Sequence, residues 1–141
     1  MVRRLSPVTE GLSTHTLVIE LEDRGSLEVL LERFRAPLIV EQIVNSLPQI
    51  SRMYVSADNS YAYIPLSLGR TIGIASRTAG LKRGDVGFMP LNQSMIICLK
   101  DFRARHPLIL IGRIKDESSL KLLKGLTKSL RVVLRSLASN L

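Results

Sequence analysis

Two histidines (His15 and His106), one cysteine (Cys98) and twelve scattered carboxylates are the candidates this 141-residue chain offers for metal ligation, with the same histidines and cysteine its first candidates for a base or a thiol nucleophile. Metal sites draw on ligands at short, fixed spacings, and none occurs here, so neither a metal nor a cofactor is expected. Cys98 stands inside the apolar run Met95 to Leu99. There a thiol is expected to be buried and inert, because burial disfavours the reactive thiolate. His106 precedes Pro107, a setting that reads as a loop. No nucleophile elbow, phosphate-binding glycine loop or dinucleotide fingerprint is present.

Charge departs further from the ordinary than any motif does. The net charge is +8, with ten Lys/Arg against nine Asp/Glu in residues 1–99 and ten against three in residues 100–141. Such asymmetry favours an acidic partner, nucleic acid among them. Lys121, Lys124, Lys128, Arg131 and Arg135 are candidates for one basic surface. Specific nucleic-acid binding would want aromatics interleaved for stacking, and after residue 100 the only aromatic is Phe102. Weak, sequence-blind binding is the most that charge alone supports, and a solvated face is the simpler expectation.

The length fits one domain, with residues 1–12 as a loose tail and 13–141 as the folded unit. Hydrophobic residues make up 45% and charged residues 23%, which suits a globular core and argues against disorder. Aromatics reach only 4% and Trp is absent, so the core must rest on Leu, Ile and Val. A single cysteine excludes an intramolecular disulfide framework. The start carries a basic pair with no apolar stretch behind it, and no window approaches the roughly 20 apolar residues of a membrane helix. A cytoplasmic protein without a membrane partner is the expectation.

The elements that must position these residues are mostly strands. His15 to Glu22 alternates, with Leu17, Ile19 and Leu21 on one face. Asp23 to Gly25 is a turn. Residues 27–34 fit a helical stripe and a strand face alike, and the preceding turn favours a hairpin over 27–32. Pro37 suits the first position of a helix whose stripe is Val40, Ile43, Val44 and Leu47, and Pro48 ends it. Strands are expected at 53–55, 61–66, 71–75, 86–89, 95–99 and 108–111, the last two buried on both faces. Asp116 reads as the cap of a short helix with Leu120, Leu123 and Leu126 inward, stopped by Gly125. A final strand covers 129–136. Tyr54, Tyr61 and Tyr63 alternate with apolar residues and read as wall packing. The sum is a mainly β fold, a closed barrel of about eight strands capped by two helices. Leu17, Ile19, Val40, Val44, Ile97, Leu110 and Val132 are expected to share one core.

Three stretches in this order resemble the cyclophilins. Residues 27–41, with Ala36-Pro37 ahead of Val40-Glu41, resemble that family's strand-then-helix opening. Gln93 to Leu99 resembles its Ser-Gln-Phe-Phe-Ile strand with the aromatics lost. His106 through Gly112-Arg113-Ile114 resembles its His-x-Val-Phe-Gly-Arg-Val strand. Gly84 to Pro90 is similar to a turn of the small prokaryotic cyclophilin-like domain proteins, a group without an established activity.

The resemblance implies a groove on the barrel wall that takes a peptide or small ligand. Arg52, Gln93, Met95 and His106 are its candidate residues, with Met95 or Ile96 where an aromatic wall belongs. The family's Phe-x-Arg and Met-Ile-Gln-Gly-Gly-Asp stretches are absent, and His106 lies two residues from its expected register. An isomerase of this family lowers the ~18–20 kcal/mol amide barrier with an arginine that draws the proline nitrogen out of resonance. Arg52 is the stand-in. The first expectation is therefore a non-catalytic or weakly catalytic binder, the second a divergent peptidyl-prolyl isomerase, and the third a basic nucleic-acid-associated protein.

Overall fold

A computed structural model describes residues 13–69 and 77–137. The hairpin wins over the helix at residues 27–34. Strands β1 (Thr14–Leu21) and β2 (Gly25–Glu32) pair antiparallel, Leu17 opposite Val29 and Ile19 opposite Leu27. Gly25, at φ +110°, makes the turn. Helix α1 (Pro37–Asn45) follows, with Pro37 in its first turn and Ile39, Val40 and Ile43 buried. Then come β3 (Gln49–Val55), β4 (Tyr61–Pro65), β5 (Arg77–Leu81), β6 (Asp85–Met89), β7 (Ser94–Cys98), β8 (Phe102–Ile114), a 3-10 helix (Glu117–Leu123) and β9 (Leu130–Ser136). Asp116 caps the 3-10 helix by accepting from the Ser118 N–H.

Eight strands close into an antiparallel barrel in the order β2-β1-β9-β3-β4-β7-β6-β8, and β8 returns to β2. β5 lies outside that ring, on β8. The closing seam is short: Val29, Leu30 and Leu31 face Ile114, Arg113 and Gly112. Glycine at 112 permits it, because a Cβ there would collide with the Leu30 carbonyl oxygen. Alternate residues of every ring strand fill the interior, among them Leu17, Ile19, Leu31, Met53, Ile64, Phe88, Ile97 and Val132, each fully buried. Leu120 and Leu123 of the 3-10 helix and the buried face of α1 join the same cluster.

Several expectations need correction. Leu110 is not in the interior; it is half-buried in a second cluster with Leu108, while Ile109 and Ile111 turn inward. Val44 only packs against the core's edge. β8 begins at Phe102 rather than 108, so His106 sits in a strand and not in a loop. β5 was not foreseen, and the strand expected at 71–75 lies outside the described residues, as does the tail at 1–12. Among the described residues, no helix is long and apolar enough to cross a membrane.

Candidate functional site: an aromatic furrow on the barrel wall

β7 carries no charged side chain, and all five of its residues are buried. It is central in the sheet, between β4 and β6. Met95 and Ile97 point into the barrel, which leaves Ile96 and Cys98 on the outer wall. There they are covered by Leu81 and Leu108, with Tyr61, Tyr63, Met89, Phe102, Ala104 and Leu110 packed around them. Tyr61 stacks on Phe102 at 4.9 Å between centroids and Tyr63 on Tyr54 at 5.2 Å. Rings at such offsets attract beyond their buried area. The scarce aromatics are thus concentrated outside the barrel.

Beside this second cluster the wall is grooved. A cleft of about 450 Å³ is lined by Tyr61, Met89, Ile96 and Phe102, by the Ser56–Ser60 turn, and by Arg103 to His106. A second, of about 380 Å³, shares Tyr61, Met89 and Ile96 and reaches Tyr63 and Asn92. A third, of about 320 Å³, shares Ala104, Arg105 and His106 and reaches Arg77 and Pro107. Shared walls make the three one furrow with an aromatic middle. One end is cationic because β5 skips from Thr78 opposite Leu108 to Gly80 opposite Arg103. The skipped residues 104–107 bulge, and Arg105 and His106 stand exposed on the rim.

Across the furrow, Asp58 accepts hydrogen bonds from the Ser60 hydroxyl (2.7 Å), the Ser60 N–H (3.1 Å) and the Ser56 hydroxyl (2.9 Å). These hold its carboxyl down at about 2, so it is an anion and no proton donor near neutrality. Cys98 donates its thiol to the Lys100 carbonyl at 3.1 Å. Burial first, then Asp85 and Asp101, push that thiol up to about 12, which makes it an inert part of the floor. Among the described residues, no three His, Cys, Asp or Glu gather as metal ligands.

Of the four candidate residues, His106 lines the furrow. Arg52 is exposed on β3, its Nε donating to Ser129 Oγ at 2.8 Å, and it faces a separate shallow cleft with Tyr54 and Arg131. Gln93 takes φ +55° in the turn between β6 and β7, where its Nε2 donates to the Gly69 carbonyl at 2.7 Å. Met95 is fully buried inside the barrel, and its neighbour Ile96 holds the wall position. No two of the four meet in any of these clefts. The basic residues divide as well: Lys121 and Lys124 line a cleft beside the 3-10 helix, Arg131 lies opposite Arg52, and Arg135 bonds Glu20 at 2.6 Å. Phe102, Arg103 and Arg105 were missed as furrow residues. Their signal was the alternation Phe-Arg-Ala-Arg over 102–105, a strand period ahead of Pro107.

The fold is therefore that of a small closed antiparallel barrel with its apolar groove outside. It is similar to the solution structure of the hypothetical protein AF2241 from Archaeoglobus fulgidus, with a TM-score of 0.69 and 22% identity over 89% of this chain and 96% of that one. It is also similar to McbB, solved in complex with tryptophan, with a TM-score of 0.69 and 17% identity over 89% of this chain. The match spans 46% of McbB, less than half of that protein. Identities this low carry the fold alone. No protein-family model matches the chain, and no curated protein matches it in sequence.

Proposed function

We propose that the furrow is a binding site for an extended peptide or a small aromatic ligand, in a cyclophilin-like barrel that is non-catalytic or only weakly catalytic. The supporting observation is that the first cleft shares Tyr61, Met89 and Ile96 with the second and Ala104, Arg105 and His106 with the third. An apolar groove with a few convergent polar groups is the usual form of a ligand site. Its length favours a chain over a compact molecule, and its aromatic middle favours a flat ring. McbB is described with tryptophan bound, so an indole is a natural first probe here.

Proline isomerisation is the second reading. The observation in its favour is that Arg103 and Arg105 border the aromatic wall, the pairing such chemistry uses. Against it, Arg52 faces elsewhere. Division of the basic residues favours at most sequence-blind contact with nucleic acid.

Isotope-labelled protein titrated with tryptophan amide and with an aromatic–proline peptide tests both readings. Saturable amide shifts are expected at residues 61, 89, 96 and 102. Phe102→Ala should weaken binding about tenfold, the loss of one stacked ring. Peptide isomerisation is expected to stay near its uncatalysed time of roughly tens to hundreds of seconds. Shifts confined to other faces would remove the furrow reading. Acceleration abolished by Arg105→Ala would replace the binder with an enzyme.

A further inference from the structure

Three of the ten Lys/Arg residues in 100–141 line one cleft away from the furrow. Arg113, Lys115 and Arg135 are paired with Glu32, Glu28 and Glu20 at 3.5, 3.5 and 2.6 Å. Lys100, Lys121 and Lys124 make no ion pair among the described residues, and all three line a cleft of about 440 Å³ beside the 3-10 helix. Lys100 and Lys121 act on Asp58 and Asp116 only through space. The cleft's floor is apolar, with Leu99, Leu120 and Leu123 among its residues, and no carboxylate lines it. It touches the furrow only at Val55.

Its walls are held independently of any ligand. Arg83 donates from Nε to Glu117 Oε1 at 3.1 Å and from Nη1 to the Leu99 carbonyl at 2.7 Å, tying the end of β7 to the 3-10 helix. Arg24 donates from Nη1 to the Leu122 and Lys124 carbonyls at 2.9 and 3.3 Å. Glu117 is thereby engaged by Arg83. A preformed cleft avoids most of the ordering cost of binding.

Three ammonium groups around an apolar floor repel one another and leave both charge and surface unmatched. An anion answers the first, and a hydrocarbon or aromatic body the second. We propose that this cleft binds a small amphipathic monoanion, an acyl or aromatic carboxylate. Its body lies on Leu99, Leu120 and Leu123, and its head among Lys100, Lys121 and Lys124. Ammoniums are compact charges rather than planar forks, so the head is selected by charge and not by bidentate geometry.

The test titrates decanoate, decanol and decylamine into the isotope-labelled full chain at low salt. Decanoate should give saturable amide shifts confined to residues 99–100 and 120–127. It should bind about tenfold tighter than decanol, and decylamine not at all, as expected for two exposed charges acting at short range. Lys121→Gln with Lys124→Gln should remove most of that preference, with Lys100 supplying the remainder, and leave decanol unchanged. Both lysines are exposed, so the melting temperature should hold, and each single variant should show part of the loss. Lys115→Gln, outside the cleft, should leave decanoate binding unchanged. Equal affinity for decanoate and decanol, a preference undiminished by the double substitution, or shifts that map to the furrow would each overturn the assignment.

Discussion

Cys98 reports how tightly the furrow's floor is closed. Its thiol stands at about 12, against 9.0 for a free one. Near pH 8 the thiolate fraction is then roughly one in ten thousand rather than roughly one in ten, a loss of about a thousandfold. The side chain also has no exposed surface, so a thiol reagent must wait until Ile96, Leu108 and their cover part. Labelling with an aromatic disulfide reagent, native against denatured at the same pH, measures both effects together. Native labelling should be at least about a thousandfold slower. A furrow ligand at a hundred times its Kd should slow it further by up to about a hundredfold, since only the closed form binds. The raised value has a second consequence. Folding favours the protonated thiol, so its contribution is complete below pH 9 and is lost as pH rises from about 9 toward 12. The slope is at most about 1.4 kcal/mol per pH unit, and Cys98→Ser should remove it. Native labelling within tenfold of the denatured rate would refute the closed floor. Unchanged labelling under a ligand that shifts residues 61 and 96 would refute the placement of Cys98 beneath the furrow.

Two further outcomes concern the barrel itself. Gly112→Ala would drive a Cβ into the Leu30 carbonyl oxygen and to 3.1 Å from the Leu31 Cα, so the closing seam must part. A loss of about 3 kcal/mol or more is expected by urea unfolding, and an unchanged midpoint would contradict the seam. His15, whose Nε2 lies 2.9 Å from Ser136 Oγ, has its pKa lowered by burial first and by Arg33 second, against Glu41. The unfolded chain therefore takes up the proton first, and stability should fall as pH drops below about 6.5. Urea midpoints at about pH 7.5 and 5 check this, and a fall that persists in His15→Gln would assign it to another group.

The parts of this fold that were legible in the sequence are those where a period runs unbroken between turn signals. β1 keeps Leu17, Ile19 and Leu21 on its inner face although Val18 between them is buried as well, and Gly25 and Gly125 take the positive φ that their positions demanded. Legibility failed where register breaks. Between Val86 and Gly87 the pairing with β8 slips, opposing Gly112 and then Leu110, and the slip inserts Ile111 as an extra residue. An apolar run such as Leu108 to Ile111 has no period of its own, so Leu110 could not be assigned a face. The same parity problem defeated Met95, which differs from the wall residue Ile96 by one position and hence by the whole thickness of the sheet. Phe102 and the two arginines after it were hidden for a different reason. Their place in the furrow depends on β5 and on the bulge at 104–107, both long-range features.

A closed ring of eight strands has an interior just wide enough for side chains to fill. Here Phe88, Met53 and Ile64 project into it and are fully buried. An outer wall facing water should be polar. β7 breaks that rule: Ile96 and Cys98 face outward and are nevertheless buried. Covering them takes Leu81, Leu108 and half of the chain's aromatics, a second cluster that the barrel does not need for closure. The cover is also incomplete. Tyr61, Tyr63, Met89 and Phe102 remain only half-buried, and the furrow runs along them. Apolar surface gathered on the sheet and left partly open is what the proposed binding site rests on. The bulge then places Arg105 and His106 at one end of it.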